Sequence, residues 1–400
     1  MIRVELAQEN RIEQLTAGMH IHLVGIGGSG LSAIALVLLG RGFVVSGSDM
    51  QESRYMAALR KRGATVYTGH SGAYVSGADV VLISSAIPDL NPEIIAANLM
   101  GIPVFKRAEF LGMLMQGQQG IAIAGTHGKT TTTSMVAQIL LAAGVDPSVI
   151  VGSTIPLLGA NGRAGAGEHF VIEADEYDHM FLGLNYTIAV VNNIEYDHPD
   201  IFEDEETYLN AFSRFIEKLP DAGILLANGD DDAVLSLIRP NTTYTVETVG
   251  LGANCDWRAE QIRPNQQGGS DFVVMKNADL VGLARLRVPG EHNVRNALVA
   301  IAVATHIGLD FKTIHVALSE FGGVGRRFQE IGTVGGVTVI DDYAHHPTEI
   351  KVTLAAAQQR YPGRTIWAVW QPHTYSRVKL YFDRFVQAFG DADKAIVLDI

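Results

Sequence analysis

Cysteine is almost missing from this sequence: Cys255 stands alone among 400 residues. A single thiol excludes an internal disulfide framework and any multi-cysteine metal cluster, and it fits a reducing compartment. Long apolar runs are missing too. The longest smooth stretch, near Leu31–Leu39, is half of what a bilayer crossing needs, so no membrane partner is expected. The first fifteen residues, MIRVELAQENRIEQL, carry acidic groups and no apolar signal core, which argues against secretion and for a cytoplasmic protein. Positive charge is short: 30 Lys and Arg face 43 Asp and Glu, a formal balance of −13. Such a chain has no general electrostatic drive toward nucleic acid or anionic lipid. Any phosphate it binds must be met by local cations, helix N-termini or a metal ion. Repeats of solenoid length and low-complexity tracts are absent as well.

What is present is apolar material, 47% of residues, and 42 glycines, more than the usual ~7%. The first is enough for real cores; the second points to tight turns and close backbone approach to ligands. At roughly 150 residues per domain the length allows two to three domains. Strand His20–Val24 runs into a glycine-rich turn and a helix from Leu31, and strands and helices then alternate through Met100. Alternation at this spacing predicts a parallel sheet covered on both faces. It restarts at Ile121–Ala124 and again near Gly323. We expect three consecutive α/β domains: a Rossmann-like domain over 1–115, a central P-loop ATPase-like parallel sheet over 116–317, and a second Rossmann-like unit over 318–400. Within the central domain, Asp256–Leu286 reads as a small antiparallel sheet. The third unit has three expected strands (Val337–Ile340, Thr365–Val369 and Lys394–Leu398) and helices Pro347–Arg360 and Arg377–Phe389. It looks cut short.

The strongest chemical signal is Gly125-Thr126-His127-Gly128-Lys129-Thr130-Thr131, set between a strand and a helix. Free N–H groups and the helix dipole favour an anion there. Lys129 supplies a point charge for the β- and γ-phosphates, and the Thr130 hydroxyl can reach Mg2+. The loop departs from G-x-x-x-x-G-K-[ST] in having Ile123 at the first glycine position. Acids and imidazoles close the next strands, in Glu173-Ala-Asp175-Glu176-Tyr-Asp178 and Asn192-Asn193-Ile-Glu195-Tyr-Asp197-His198. Ligands of open α/β sheets sit at strand carboxyl ends, so Glu173 and His198 are expected to converge with Thr130 on metal ions at the nucleotide phosphates. Glu176, Asp178 and Glu195 are read as solvated.

Gly25-x-Gly27-Gly28-x-Gly30, with Asp49 further on, fits a ligand carrying phosphate and ribose. His292 and Asn296 lie four apart at a helix start. Arg326-Arg327 follows Gly322, Gly323 and Gly325, a hinge-like run. Asp341-Asp342-Tyr343-Ala-His345-His346-Pro347 and Gln371-Pro372-His373-Thr374-Tyr375-Ser376-Arg377 each follow an expected strand. From residues alone, an NAD-dependent oxidoreductase and a non-catalytic nucleotide-binding protein remain open.

Taken in order, GIGGSG, GTHGKTTT, EADEYD, NNIEYDH, GEHNVRNA, GRRF, DDYAHHPTE and QPHTYSR resemble the Mur ligases of peptidoglycan synthesis across essentially the whole chain. That resemblance implies ATP-dependent joining of an amine to the lactyl carboxylate of UDP-N-acetylmuramate through an acyl phosphate. The implied amine is L-alanine, with a recycled tripeptide as the alternative. It implies a UDP-sugar site near Gly25, Gly27, Gly28, Gly30, Asp49, His70, Ser84, Ser85 and Arg107. ATP would be bound through the 125–131 loop with His292, Asn296 and Arg327, and two Mg2+ ions through Thr130, Glu173 and His198. Tyr343, His345, His373 and Arg377 would shape the amino-acid side, and the third domain would close over ATP. Family members often carry Arg where Thr374 stands, and they normally continue past Ile400. The sequence sets no oligomeric state.

Overall fold

The computed structural model describes residues 14–400. The stretch read for a secretion signal lies, apart from its last two residues, outside the described residues. Among the described residues no helix is long and apolar enough to cross a membrane.

The first sheet has five parallel strands: β1 (His20–Val24), β2 (Val44–Asp49), β3 (Thr65–Thr68), β4 (Val80–Ile83) and β5 (Val104–Lys106), in the order β3-β2-β1-β4-β5. β1 is central, and β4 is buried at all four positions, as parallel strands covered on both faces should be. Helix Ser29–Gly40 follows β1, with Leu31 through Leu38 all buried. Its apolar character is continuous because it is covered twice. One side lies on its own sheet, and the other meets strands of the next domain, where a Cβ on Gly40 would come within 2.7 Å of the Ala164 methyl. The longest apolar run is thus an interdomain helix.

The central sheet holds ten strands: β6 (Gln119–Ala124), β7 (Ser148–Ile155), β8 (Ala160–Arg163), β9 (His169–Glu173), β10 (Ile188–Val191), β11 (Ile224–Asn228), β12 (Thr245–Gly250), β13 (Trp257–Pro264), β14 (Ser270–Lys276) and β15 (Asp279–Arg285). Their order is β15-β14-β13-β12-β11-β10-β6-β9-β7-β8. β6 lies between β10 and β9, both parallel to it, so the chain leaves β6 where strand order reverses. The expected small antiparallel sheet is not separate. β13 pairs in parallel with β12 at Val249–Trp257 and Gly250–Arg258, and the β13–β14–β15 meander extends the main sheet.

The third region differs more from expectation. Strand β17 (Val337–Asp341) pairs antiparallel with β16 (Gln329–Val334), which the sequence reading did not identify. Gly335 and Gly336, both at positive φ, make the two-residue turn that such a hairpin requires. β18 (Trp367–Trp370) and β19 (Lys394–Val397) form a separate parallel pair. The single helix expected over Arg377–Phe389 is two, Tyr375–Leu380 and Phe382–Gln387, broken at Tyr381. The Tyr381 hydroxyl donates to the Tyr196 carbonyl, which ties the break to the central domain.

A buried polar hub sits under the first sheet. Glu93 and His22 are both fully buried, and His22 Nε2 lies 2.8 Å from Glu93 Oε2. Glu93 also accepts from Ser48 Oγ (2.7 Å) and the Ser71 N–H (3.1 Å), and it meets His70 Nδ1 at 3.0 Å. Burial pushes its carboxyl up, but the hydrogen bonds from His22 and Ser48 outweigh burial and hold it below the usual range. The hub thereby fixes His70 just beyond β3. Glu93→Ala would strand several buried donors at once, and we expect it to cost about 3–5 kcal/mol of stability. Urea unfolding of the native and variant proteins measures this; a loss under ~1 kcal/mol would show that the hub is not holding the sheet.

Candidate functional site

Three strand ends deliver the site. The β6 turn carries residues 125–128 into helix Lys129–Ala142, whose N-cap Gly128 is left-handed (φ 80). A Cβ there would also stand 2.7 Å from Asn296 Oδ1, so glycine is required twice over. β9 ends at Glu173, and the chain beyond β10 supplies Asn192 to His198.

Lys129 Nζ donates to the Gly125 carbonyl (2.6 Å), the Thr126 carbonyl (3.1 Å) and both Glu176 oxygens (2.8 and 3.1 Å). Burial pulls its pKa down, but Glu176 and Asp175 raise it above the ordinary value, so the ammonium stays charged. Thr130 Oγ1 donates to Glu173 Oε1 at 2.9 Å, and the Gly152 N–H to Glu173 Oε2 at 2.6 Å. Burial nevertheless raises the Glu173 pKa, against the opposing pull of Lys129. His198, at φ 58, turns Nε2 to within 3.6 Å of Glu176 Oε1. Its pKa is raised, because Glu176 and Asp197 outweigh burial.

Two corrections follow. Glu176, read as solvated, is only 1% exposed. Glu195, also read as solvated, bonds His127 Nε2 (2.9 Å), Thr348 Oγ1 (3.0 Å) and Arg384. These contacts, led by His127 and Arg384, overcome burial and hold its carboxyl far below the usual range. Asp178 is partly exposed, at φ 53. Nothing in the local sequence marks Glu176 or Glu195, since both partners come from distant chain segments.

His127 binds the third region to the loop. Its second nitrogen lies 3.4 Å from Glu349 Oε1, and Glu349 also meets Arg327 Nη1 at 3.3 Å. Burial lowers the His127 pKa, but Glu195 and Glu349 raise it further, to about 9. Both ring nitrogens then carry protons. His127, Glu195 and His346 offer ligand atoms within 4.8 Å of one another, and here His127 is engaged by ion pairs to Glu195 and Glu349. Glu349 went unnoticed as a site residue. Its signal was present, as Pro347 and Glu349 stand at the first and third positions of the helix, a capping-box pattern completed by His346.

A cavity of about 970 Å³ lies among the three regions. Gly27, Gly30 and Arg107 line it from the first; Thr126, His127, Gly128, Lys129, Thr130, Glu173 and His198 from the second; Arg327, Tyr343, His345, His373 and Arg377 from the third. Arg107 Nη2 pairs with Asp175 Oδ2 at 2.8 Å across the first boundary. Arg377 is buried and gives its guanidinium to Asp197 (2.8 and 3.1 Å), beside His198. His345 bonds the Tyr343 carbonyl and lies 6.0 Å, ring to ring, from exposed His373.

A second cavity, about 630 Å³, shares His127, Gly128, Thr130 and Arg327 with the first and adds Thr131, His292 and Asn296. Burial drops the His292 pKa to about 4, so its ring is neutral. Asn296 Oδ1 accepts from Thr132 Oγ1 at 3.1 Å. Gly25, Gly28, Asp49, His70, Ser84, Ser85 and Gly125 line neither cavity, and a Cβ on Gly125 would stand 2.9 Å from that of Asn192. Asp49 Oδ2 accepts from the Gly27 N–H at 3.0 Å, shaping the first glycine loop. Ser84 sits against Gly25, and Ser85 is exposed.

Comparison with known proteins accords with this layout. Residues 20–119 match the model of the Mur ligase family catalytic domain, 123–304 that of the Mur ligase middle domain, and 326–399 that of the Mur ligase glutamate ligase domain. The UDP-N-acetylmuramate–L-alanine ligase of Geotalea daltonii is 48% identical over 383 residues, covering 95% of this chain and 82% of that protein. Its counterpart from Acidithiobacillus ferrooxidans is 46% identical, with the same coverage. Among solved structures, the UDP-N-acetylmuramate-alanine ligase of Thermotoga maritima superposes with a TM-score of 0.84 at 30% identity, covering 96% of this chain and 85% of that one. A murein peptide ligase from Psychrobacter arcticus gives 0.78 at 30% identity, covering 95% and 84%.

The His127 pKa, about 9 when folded against 6.5 ordinarily, sets a pH dependence. A pKa raised by folding gives stability that is complete below about 6.5 and lost as pH climbs through about 9. Urea unfolding of the native protein and His127→Gln should show the native advantage shrinking across that window. A difference constant with pH would remove the ion-pair account of this histidine.

Proposed function

The chain belongs to the Mur ligase family, and from that membership we propose that it joins L-alanine to the lactyl carboxylate of UDP-N-acetylmuramate at the expense of ATP. It thereby acts in peptidoglycan precursor synthesis. The observation that carries this reading is a cavity to which all three regions contribute and which Lys129 lines. Relatives named for this ligation, 43–48% identical over 95% of the chain, support it.

The glycine loop around Gly27 and Gly30, with Arg107, His70 and Asp49 nearby, is the side for the uridine nucleotide, and Gly25, Gly28, Ser84 and Ser85 are assigned to the same side. ATP lies along the 125–131 loop, its base toward His292 and Asn296 in the smaller cavity and its triphosphate toward the larger. Arg327 lines both cavities, so it is placed to follow the phosphates.

Mur ligases use ATP with Mg2+, and the residues present suit a hard cation. Thr130 and Glu173 offer oxygen, and the Glu173 carboxyl, raised by desolvation against the pull of Lys129, would gain from a cation beside it. We assign one ion to Thr130 and Glu173 and a second to His198. When bound, Mg2+ offsets the charge of the phosphates. The remaining work falls to side chains. Lys129 and Arg327 bring positive charge to a reaction between two anions in a chain of net charge −13. A lactyl carboxylate oxygen bonds to the γ-phosphorus while the bond to the β,γ-bridging oxygen breaks, giving an acyl phosphate and ADP. The free amine of alanine then attacks the acyl carbon, its proton passes to a base, and phosphate leaves. Tyr343, His345, His373 and Arg377 border the space left for the amino acid. ATP and a nucleotide sugar are cytoplasmic substrates, which supports a cytoplasmic enzyme.

Similarity to a murein peptide ligase favours one alternative, a tripeptide in place of alanine. ADP release in the presence of UDP-N-acetylmuramate, compared across amino acids and the tripeptide, separates the two. Alanine-dependent turnover is expected; turnover with tripeptide alone would transfer the assignment. Lys129→Ala should lower the rate on the order of 10²–10³ or more while the circular dichroism spectrum stays native. Native-like turnover by that folded variant would sink the mechanism.

A further inference from the structure

Glu176 has no place in the mechanism above, yet its carboxylate touches three of the groups around it. It is buried, and its oxygens receive Lys129 Nζ at 2.8 and 3.1 Å. Oε1 also accepts from the Tyr208 hydroxyl at 3.3 Å and faces His198 Nε2 at 3.6 Å. Tyr208 is fully buried and meets Thr126 Oγ1 at 2.9 Å, so it anchors the carboxylate to the phosphate loop. The remaining acceptors of Lys129 are carbonyls of its own loop, at Gly125 and Thr126.

An ammonium has three protons, and here all of them point at Glu176 or back into the loop. A triphosphate can engage Lys129 only by drawing it off these partners. Glu176 then keeps Tyr208 and His198. The backbone at His198 is secured separately: its N–H donates to Asp197 Oδ1 at 2.8 Å, and Asp197 is bound by Arg377. The imidazole packs edge-on to the Tyr177 ring at 5.1 Å, and Glu176 Oε1 is the nearer of its two carboxylates, at 3.6 Å against 3.9 Å for Asp197 Oδ2.

We propose that Glu176 is a positioning residue with two successive partners: it competes with a triphosphate for Lys129, and it orients His198 once the triphosphate has taken the lysine. The proposal rests on the ligase reading for its second half only. The two halves have opposite signatures. Glu176→Gln removes a competitor for Lys129, so nucleotide binding strengthens. It also removes the charge that orients His198, so turnover falls. A carboxylate that merely supported the fold would weaken both together.

The test is calorimetric titration of the native and Glu176→Gln proteins with Mg2+ and a non-hydrolysable ATP analogue, alongside steady-state ADP release with UDP-N-acetylmuramate and L-alanine. The variant should bind the analogue about tenfold more tightly. Its kcat should fall by about 10–100-fold, the usual effect of losing an outer partner of a site histidine. In a Lys129→Ala background the gain in binding should disappear, since it acts through the lysine. Unchanged or weaker binding by Glu176→Gln overturns the proposal, as does a kcat within threefold of native. Glu176→Asp, which keeps the charge but is too short to meet Lys129 and His198 together, should show the same directions and serves if the glutamine variant does not fold. If the native protein binds the analogue but never turns over, the ligase reading fails, while the binding comparison still decides whether Glu176 restrains Lys129.

Discussion

One charged amine governs this site. Lys129 sits at the start of a helix with Glu173, Asp175 and Glu176 around it, in a chain that is acidic throughout. Burial alone would neutralise a lysine. The carboxylates prevent that, and in doing so they become the groups whose own charge needs managing. Glu173 answers with a raised pKa and Asp175 with an ion pair to Arg107. The result is a cradle in which the Lys129 and Arg107 cations each have a carboxylate partner.

The same balancing assembles the three regions. Arg107 reaches Asp175 from the first, while Arg377 reaches Asp197 and Arg384 reaches Glu195 from the third. His127 stands between Glu195 of the central region and Glu349 of the third. Each of these contacts lies within a few residues of a predicted ligand-binding group. Docking of the third region and the arrangement of the phosphate loop are therefore one electrostatic problem, solved by the same side chains.

Much of this was legible in the sequence. The β6–loop–helix unit follows from a short apolar strand, a glycine turn and a lysine at the helix start, all local features. Glu173 and His198 could be anticipated because strand ends converge in parallel sheets. Glu176 and Glu195 were misread because their partners lie far off in the chain: Glu176 is 47 residues from Lys129, and Glu195 is 153 from Thr348. Local pattern cannot register such a contact, and an acid beside other acids reads as solvated. The β16–β17 hairpin was missed although Gly335-Gly336 announces it, because the preceding strand is largely exposed and lacks a buried apolar face. The break at Tyr381 depends on a hydroxyl reaching Tyr196, again a distant partner.

Helix Ser29–Gly40 has a mechanical corollary. Its side chains belong to one continuous apolar cluster that includes both Ile21 and Leu23 of the first sheet and Ala122 and Ile172 of the central one. The third region packs around a cluster of its own, built on Ile350, Leu354 and Phe385. Two of the three lobes are thus fused through a shared interior, and the remaining lobe has a separate one that Tyr196 of the central region packs against. The span from the Gly27 loop to Lys129 is thereby set by one shared interior, whereas the face offered by the third lobe is set by a separate one.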